Sequence, residues 1–468
     1  MEYSKYLKSR HDLCKKLVNR LLKRFEYVSI LGTHIGGKSI AVTTRNVSVG
    51  ESREKECGFV CKVYNGKYYS EFSFSDITSE TISSLEKEII EKSNLSEKLM
   101  QRHVSAYALM DEALVKDFDR PLEGKEHSIE EILEKLKSFK DRAHAYSEKI
   151  VQVSCSFASR EVSKMFISKN RDLTQHYSFI NVMAMFVARN ETNMQNSYTF
   201  AGYNSEEKAF EEIDKKLEKG AELAIKLLDA EMIVPGEYDI ITDPSITGLI
   251  AHEAFGHGVE MDMFVKNRAL AKDYIGKYVA SPLVNMHDGA ASCLSSASYF
   301  FDDEGALAQD TVIIDKGTLV GGICDSVSAS ILDYHPTGNG RRQSYKRKAY
   351  TRMTNTFFES GDSTLEDMIK SVDYGYYISQ TNNGMEDPKN WGIQCTALYG
   401  KEIVNGQFTG KIISPVVMSG YVIDLLESIS AVSKDFHVSG SGSCGKGYKE
   451  WVRVSDGGGC IKAQVKIG

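Results

Sequence analysis

The sequence predicts an α+β protein of two domains: an N-terminal domain of mixed helix and strand over residues 1–234, and a β-rich domain over residues 235–468. Three observations lead there. A chain of 468 residues is longer than one ordinary hydrophobic core organises. Glycine and proline are unevenly spread, with nine and two in residues 1–235 against 28 and five in residues 236–468. Amphipathic helical stretches crowd the first half, whereas the second half reads as short β-like runs broken by glycine turns.

The elements follow in order. In the opening MEYSKYLKSRHDLCKKLVNRLLKRFEY, Leu17, Leu21, Leu22 and Phe25 recur at helical spacing among lysines and arginines, which predicts a surface helix. Charges interrupt every apolar group there, so the stretch has neither the core of a signal peptide nor the length of a membrane span. Apolar periodicity predicts a helix over residues 85–99. Ser128-Ile129-Glu130-Glu131 has the form of a capping box and starts a helix whose stripe is Ile129, Ile132, Leu133, Leu136 and Phe139. VQVSCSFAS from Val151 and YSFINVMAMFVA from Tyr177, joined through SKNRD, predict a β-hairpin. A last long helix covers residues 210–228, and the Pro-Gly turn in VPGEY marks the break between domains. Beyond it, TVIIDKGTLVGGI, YGKEIVNGQFTG and the terminal IKAQVKI predict strands.

Composition narrows the function classes. With 42% hydrophobic and 26% charged residues and a net charge of -7, the chain has no basic footprint for nucleic acid and no membrane signal, so neither is an expected partner. Nine cysteines, an odd number without a C-x-x-C pair, point to a reducing cytosol rather than a disulfide framework.

The chemistry concentrates in AHEAFGHGVEMDMF, residues 251–264. His252, Glu253 and His257 resemble the zinc-protease signature H-E-x-x-H with one residue too many between the histidines. Residues five apart on an α-helix are rotated by about 140° and face different sides. Asp243 as N-cap and Pro244 at the first helical position place the segment on a helix, with Ile246, Leu249 and Ile250 as its apolar stripe. A π-bulge with i to i+5 bonding would bring both imidazoles to one side, and Gly256 lowers its cost. Otherwise the two histidines are partly buried beside a helix bend. A catalytic zinc needs a third protein ligand, and spacing leaves Glu260, Asp262 or a more distant Cys or His open.

The segment HEAFGHGVEMD resembles the H-E-x-x-x-H-G motif of the TldD/PmbA family of zinc-dependent peptidases. The likeness continues in order through ASPLV at Ala280, DDEG at Asp302, TGNGRRQSY at Thr337, RMTNTFF at Arg352 and GSCGKG at Gly442. It implies that Cys444 completes a zinc site with His252 and His257, one ion per chain, and that Glu253 is the general base on the metal-activated water. Glu260 and Asp262 then become candidates for orienting the second histidine. Asn339, Arg341 and Arg342 border the site as candidates for binding peptide carbonyls or a substrate carboxylate. The resemblance further implies a cytosolic enzyme acting on unfolded or extended peptides. Its partners would be a second copy or a related subunit lacking the zinc motif. Two alternatives are a non-catalytic, partner-binding subunit of such an assembly and a zinc hydrolase of non-peptide amides. The tail YKEWVRVSDGGGCIK departs from the family pattern, and substrate preference is where that departure counts.

Overall fold

The computed structural model of the chain describes residues 2–52, 54–99, 112–447 and 450–468. The first half builds a nine-stranded sheet, mostly antiparallel, around the hairpin Ile150–Ile167 and Arg171–Arg189. That hairpin is the one read from VQVSCSFAS and YSFINVMAMFVA. Helices Lys5–Leu21 and Ile82–Leu99 pack with one part of the sheet through Leu7, Leu17, Leu21, Phe59 and Met165. Helices Ile129–Ala145 and Glu206–Lys226 pack with the other through Leu136, Phe157, Phe186, Phe210 and Leu217. The reciprocal capping box at Ser128 and Glu131 forms as its spacing predicts. Gly220 lies mid-helix because a Cβ there would stand 2.4 Å from Phe186. No helix among the described residues is long and apolar enough to cross a membrane.

The second half is built on strands with short helices between them. Gly236–Thr242, Tyr374–Asp387, Gly392–Val404, Val416–Tyr421 and Ile461–Ile467 pair in sequence, and the last also pairs back onto the first, closing a small ring. A six-stranded sheet lies beside it and includes Asn355–Phe358, Ser455–Gly458 and His437–Ser439. Between these runs the helix carrying the histidines, whose Ile246, Ile250, Ala254 and Phe255 enter the same core as Met353, Ile378, Trp391 and Cys444.

The DDEG segment docks the two halves. Lys62 of the first sheet meets Glu304, with side-chain exposures of 7% and 3%, and Lys164 pairs with Asp303. Arg171 donates to the Gly305 carbonyl at 2.7 Å, while Gln175 donates to Phe301 and accepts from Phe300. Gly305 has φ +83°, and a Cβ would lie 2.4 Å from Phe166, so only glycine fits this turn against the sheet. Replacing one partner of a buried ion pair strands the other charge at about 3–5 kcal/mol. Lys62→Met should therefore lower the denaturant midpoint by a free energy of that size. Lys62→Met with Glu304→Leu should recover part of the loss, and denaturant unfolding of both variants checks the expectation.

Candidate metal centre

Strand Gly236–Thr242 runs directly into helix Pro244–Ile250. Asp243 accepts from the Ile246 amide at 2.9 Å, and Pro244 fills the first turn, where its missing N–H costs nothing. Ser379 and the Gln380 amide bind the other oxygen of Asp243, which fixes the helix start to the neighbouring strand. From Ala251 to Gly256 the chain widens into a π-helix, and the His257 amide donates to the His252 carbonyl, five residues back, at 3.3 Å. The wider turn absorbs the extra residue. The rings of His252 and His257 consequently stand 5.1 Å apart, centroid to centroid, at 89°. Gly256 is required here by packing: a Cβ would lie 2.0 Å from the Met353 sulfur.

Cys444 arrives from a remote hairpin, Ser443–Lys446 with Glu450–Arg453, where it faces Val452. The buried Arg352 donates to the carbonyls of both Cys444 and Glu450, tying the two arms of that hairpin. Sγ of Cys444 lies 3.5 Å from Nε2 of His257, and the ligand atoms of His252, His257 and Cys444 all fall within 4.8 Å of one another. Zinc bonds of about 2.0–2.3 Å in a tetrahedron put ligand atoms roughly 3.3–3.8 Å apart. His252 and Cys444 are buried, and Nδ1 of His252 has no hydrogen-bond partner among the described residues. The donor types, their spacing and this orphaned nitrogen fit a small divalent ion held by three protein ligands.

The electrostatics agree with the donor set. Burial resists ionisation of the Cys444 thiol, yet the His257 charge and the hydrogen bonds from both imidazoles outweigh it and hold the thiol well below its usual range. Burial also opposes protonation of His257, but Cys444 and Glu260 raise it well above the ordinary value. Glu260 meets Nδ1 of His257 at 3.1 Å. Against its burial, Lys446 at 3.0 Å, His257 and Arg352 hold the Glu260 carboxyl at about 2. Of the two carboxylates expected to orient the second histidine, the structure puts Glu260 on it. Asp262 instead binds Lys446 at 2.6 Å and Lys266 at 2.8 Å. Lys446, part of the GSCGKG motif, thus links the cysteine strand to the carboxylates beyond the histidine helix.

Glu253 is buried against the strand Tyr374–Asp387, where a Cβ on Gly384 would stand 2.4 Å from its Cγ. Two further carboxylates lie nearby that no sequence motif marks. Both oxygens of Glu386 are buried without a hydrogen-bond partner among the described residues, and burial pushes this carboxyl well up, with His257 opposing and Glu253 and Glu260 adding. Asp456 lies on Ser455–Gly458, and burial pushes its carboxyl up to about 6, with His252 opposing and Glu253 and Cys444 adding. The one sequence signal for Asp456 is a charged residue at the head of the glycine run SDGGG.

A cleft of about 850 Å3 borders this region, lined among others by Tyr198, Gln380, Thr381, Tyr399, Ser441 and Asp456. Along it runs strand Met194–Tyr203, an edge strand that pairs among the described strands with Arg171–Arg189, and whose Tyr198 carbonyl accepts from the Gln380 side chain at 3.1 Å. Asn339, Arg341 and Arg342 do not join the cluster of His252, His257 and Cys444. Asn339 is buried and donates to Asp288 and the Arg352 carbonyl. Arg341 donates to the carbonyls of Met353 and Arg453, and Arg342 to Glu71 and the Arg347 carbonyl. Both arginines line a second cavity of about 560 Å3 that reaches Ser443, next to Cys444. Their donors are engaged in holding the loop and the junction between halves.

The chain is similar in sequence and in fold to known proteins. The sequence profile of the PmbA/TldA metallopeptidase C-terminal domain matches residues 235–456. A metalloprotease of Methanocaldococcus jannaschii is 30% identical over 321 residues, which are 68% of this chain and 70% of that protein. A zinc metalloprotease TldD homolog of Saccharolobus solfataricus is 33% identical over 235 residues, 50% of this chain and 52% of its own. The solved structure of TldE from Thermococcus kodakarensis superposes with a TM-score of 0.74 at 18% identity, covering 97% of this chain and 99% of that one. At that identity the likeness is one of fold. A largely buried His-His-Cys cluster beside a glutamate, on this fold and with these relatives, defines a metallopeptidase. The chain belongs to the TldD/PmbA family.

The π-turn gives a direct packing test. Gly256→Ala forces a methyl group onto the Met353 sulfur, an overpacking worth about 1–3 kcal/mol. It should lower the thermal midpoint, and the drop it causes should be smaller when it is introduced into a Met353→Ala background. A thermal midpoint for Gly256→Ala equal to that of the parent protein contradicts the close approach.

Proposed function

We propose that the chain is a zinc-dependent peptidase of the cytosol that cleaves unfolded or extended peptides. The observation that supports this most strongly is the convergence of His252, His257 and Cys444, with Glu253 buried beside them, next to a cleft bordered by an edge strand. His252, His257 and Cys444 would hold the ion. When bound, zinc in such a site lowers the pKa of a water to about 7 and polarises a carbonyl.

The chain's own residues do the rest. Glu253 accepts the proton of the attacking water and delivers it to the leaving amine, a shuttle its burial keeps out of exchange with bulk solvent. Glu260 fixes the His257 ring through Nδ1, so that Nε2 faces Cys444. Gly384 leaves room for the Glu253 side chain against the strand Tyr374–Asp387. An extended peptide lying in the cleft could add to the edge of Met194–Tyr203 by main-chain hydrogen bonds, which suits a sequence-tolerant peptidase. The active form on this reading is a dimer, with a second copy or with a related subunit lacking the zinc motif.

Metal analysis and Glu253→Gln test the core of this. The purified chain should carry about one zinc, the variant should retain it, and peptide hydrolysis should fall by about 10²–10⁴-fold. Zinc-free protein, or full activity in the variant, sinks the mechanism. Substrate pairing is tested separately: N-methylation of successive peptide nitrogens should weaken binding at alternate positions near the scissile bond, and unchanged affinity throughout would exclude strand addition.

A further inference from the structure

We infer that Asp456 sets the charge preference of the site: its carboxylate receives a cationic group of the substrate, an ammonium or guanidinium, where the cleft meets the histidine-cysteine cluster. The inference rests on the peptidase reading and deepens it.

Four acidic residues line the cleft of about 850 Å3: Glu212, Glu222, Asp243 and Asp456. Three are matched. Glu212 pairs with Lys216 and Glu222 with Lys226, each at 2.7 Å, and Asp243 is spent on Ser245, the Ile246 amide, Ser379 and the Gln380 amide. The carboxylate of Asp456 makes no hydrogen bond or ion pair among the described residues. Two lysines on this wall, Lys219 and Lys401, form no ion pair with Asp456, and Lys401 lies over the rings of Tyr399 and Phe408. A half-buried carboxylate without a donor or counter-charge loses solvation and gains nothing in return, unless a ligand supplies the cation.

Its position ties the unmatched charge to the chemistry. A Cβ on Gly442, two residues before Cys444, would stand 3.4 Å from Asp456 Oδ2. The backbone of Asp456 presses on Gly248, whose added Cβ would lie 2.6 Å from its carbonyl carbon, and Gly248 is one helical turn before His252. Asp456 therefore sits where the cysteine strand and the histidine helix cross, with its side chain on the cleft. His252, Glu253 and Cys444 face it from those two elements. A peptide reaching Glu253 along the cleft passes this carboxylate, and a cation it carries there makes a charge-assisted hydrogen bond in partly desolvated surroundings. The cation can come from a free N-terminus, which would bias the enzyme toward amino-terminal cleavage, or from a lysine or arginine side chain.

The test measures binding without turnover. Full-length, zinc-loaded Glu253→Gln protein is titrated by fluorescence anisotropy with matched peptides: one with a free N-terminus and a lysine, one N-acetylated, one with the lysine replaced by norleucine, and one with both changes. The peptide carrying both cations should bind about tenfold more tightly than the one lacking both, and adding Asp456→Asn should erase that difference. Sensitivity to acetylation assigns the N-terminus, and sensitivity to norleucine assigns the side chain. Equal affinity for all four peptides overturns the charge preference and leaves the peptidase reading standing. Failure of every peptide to bind overturns both. Loss of zinc in Asp456→Asn with the preference intact overturns the inference too, since Asp456 would then be positioning His252. If Asp456→Asn does not fold, Asp456→Ser replaces it, and the comparison of peptides on the Asp456-containing protein still decides the question.

Discussion

The hydrogen bond from the His257 amide to the His252 carbonyl is the constraint on which the site depends. On an α-helix these imidazoles would diverge by about 140°; on the π-turn they face a common point that Cys444 also reaches. Such a turn is less stable than the α-helix it interrupts, and its surroundings hold it in place. Asp243 and Pro244 fix the start of the helix, Phe255 packs against Trp391 at 5.7 Å, and Met353 occupies the space that a side chain at Gly256 would need. The departure from regular geometry is thus over-determined by packing on several sides, as functional distortions generally are.

Around the turn, buried charge is arranged in connected pairs. Glu260 joins His257 to Lys446, Lys446 joins Glu260 to Asp262, and Arg352 joins the carbonyls of Cys444 and Glu450. A movement of the cysteine strand would strand several charges in the interior at once, which keeps the third ligand in register although it lies nearly two hundred residues away. The same logic operates at the junction of the halves, where the carboxylates of DDEG meet Lys62 and Lys164. The loop bearing Arg341 and Arg342 belongs to this second network, with guanidinium groups bound by carbonyls and by Glu71. Glycine at 338 and 305, both with φ near +80°, lets these loops turn against neighbouring backbone and the Phe166 ring.

Much of the fold was legible in local pattern. The capping box at Ser128, the hairpin through SKNRD and the helix start at Asp243 are short-range devices, and each forms where its residues stand. The histidine spacing was legible as a problem, since H-E-x-x-x-H requires either a bulge or two unrelated imidazoles. Cys444 came from resemblance to a family, because no local rule ties a cysteine in GSGSCGKG to a helix so far upstream. Glu386 and Asp456 left no local signature: one lies in an alternating strand end and the other heads a glycine run, and in each case only the groups packed opposite make the carboxylate unusual. Asp262 and Glu260 looked equivalent from spacing, yet a helix start between them turns one toward His257 and the other toward Lys446.

By itself, the sequence determined the α+β character, the helix that presents His252 and Glu253, and the condition that one shared ion would demand a non-α turn before His257, because these follow from backbone preferences and spacing within a few residues. Tertiary structure alone decided which distant thiol meets those rings, which carboxylate steadies them, and which acid is left facing the cleft without a partner. Those are matters of what packs against what across long separations, and a buried charge acquires its chemistry from the groups that desolvate and surround it.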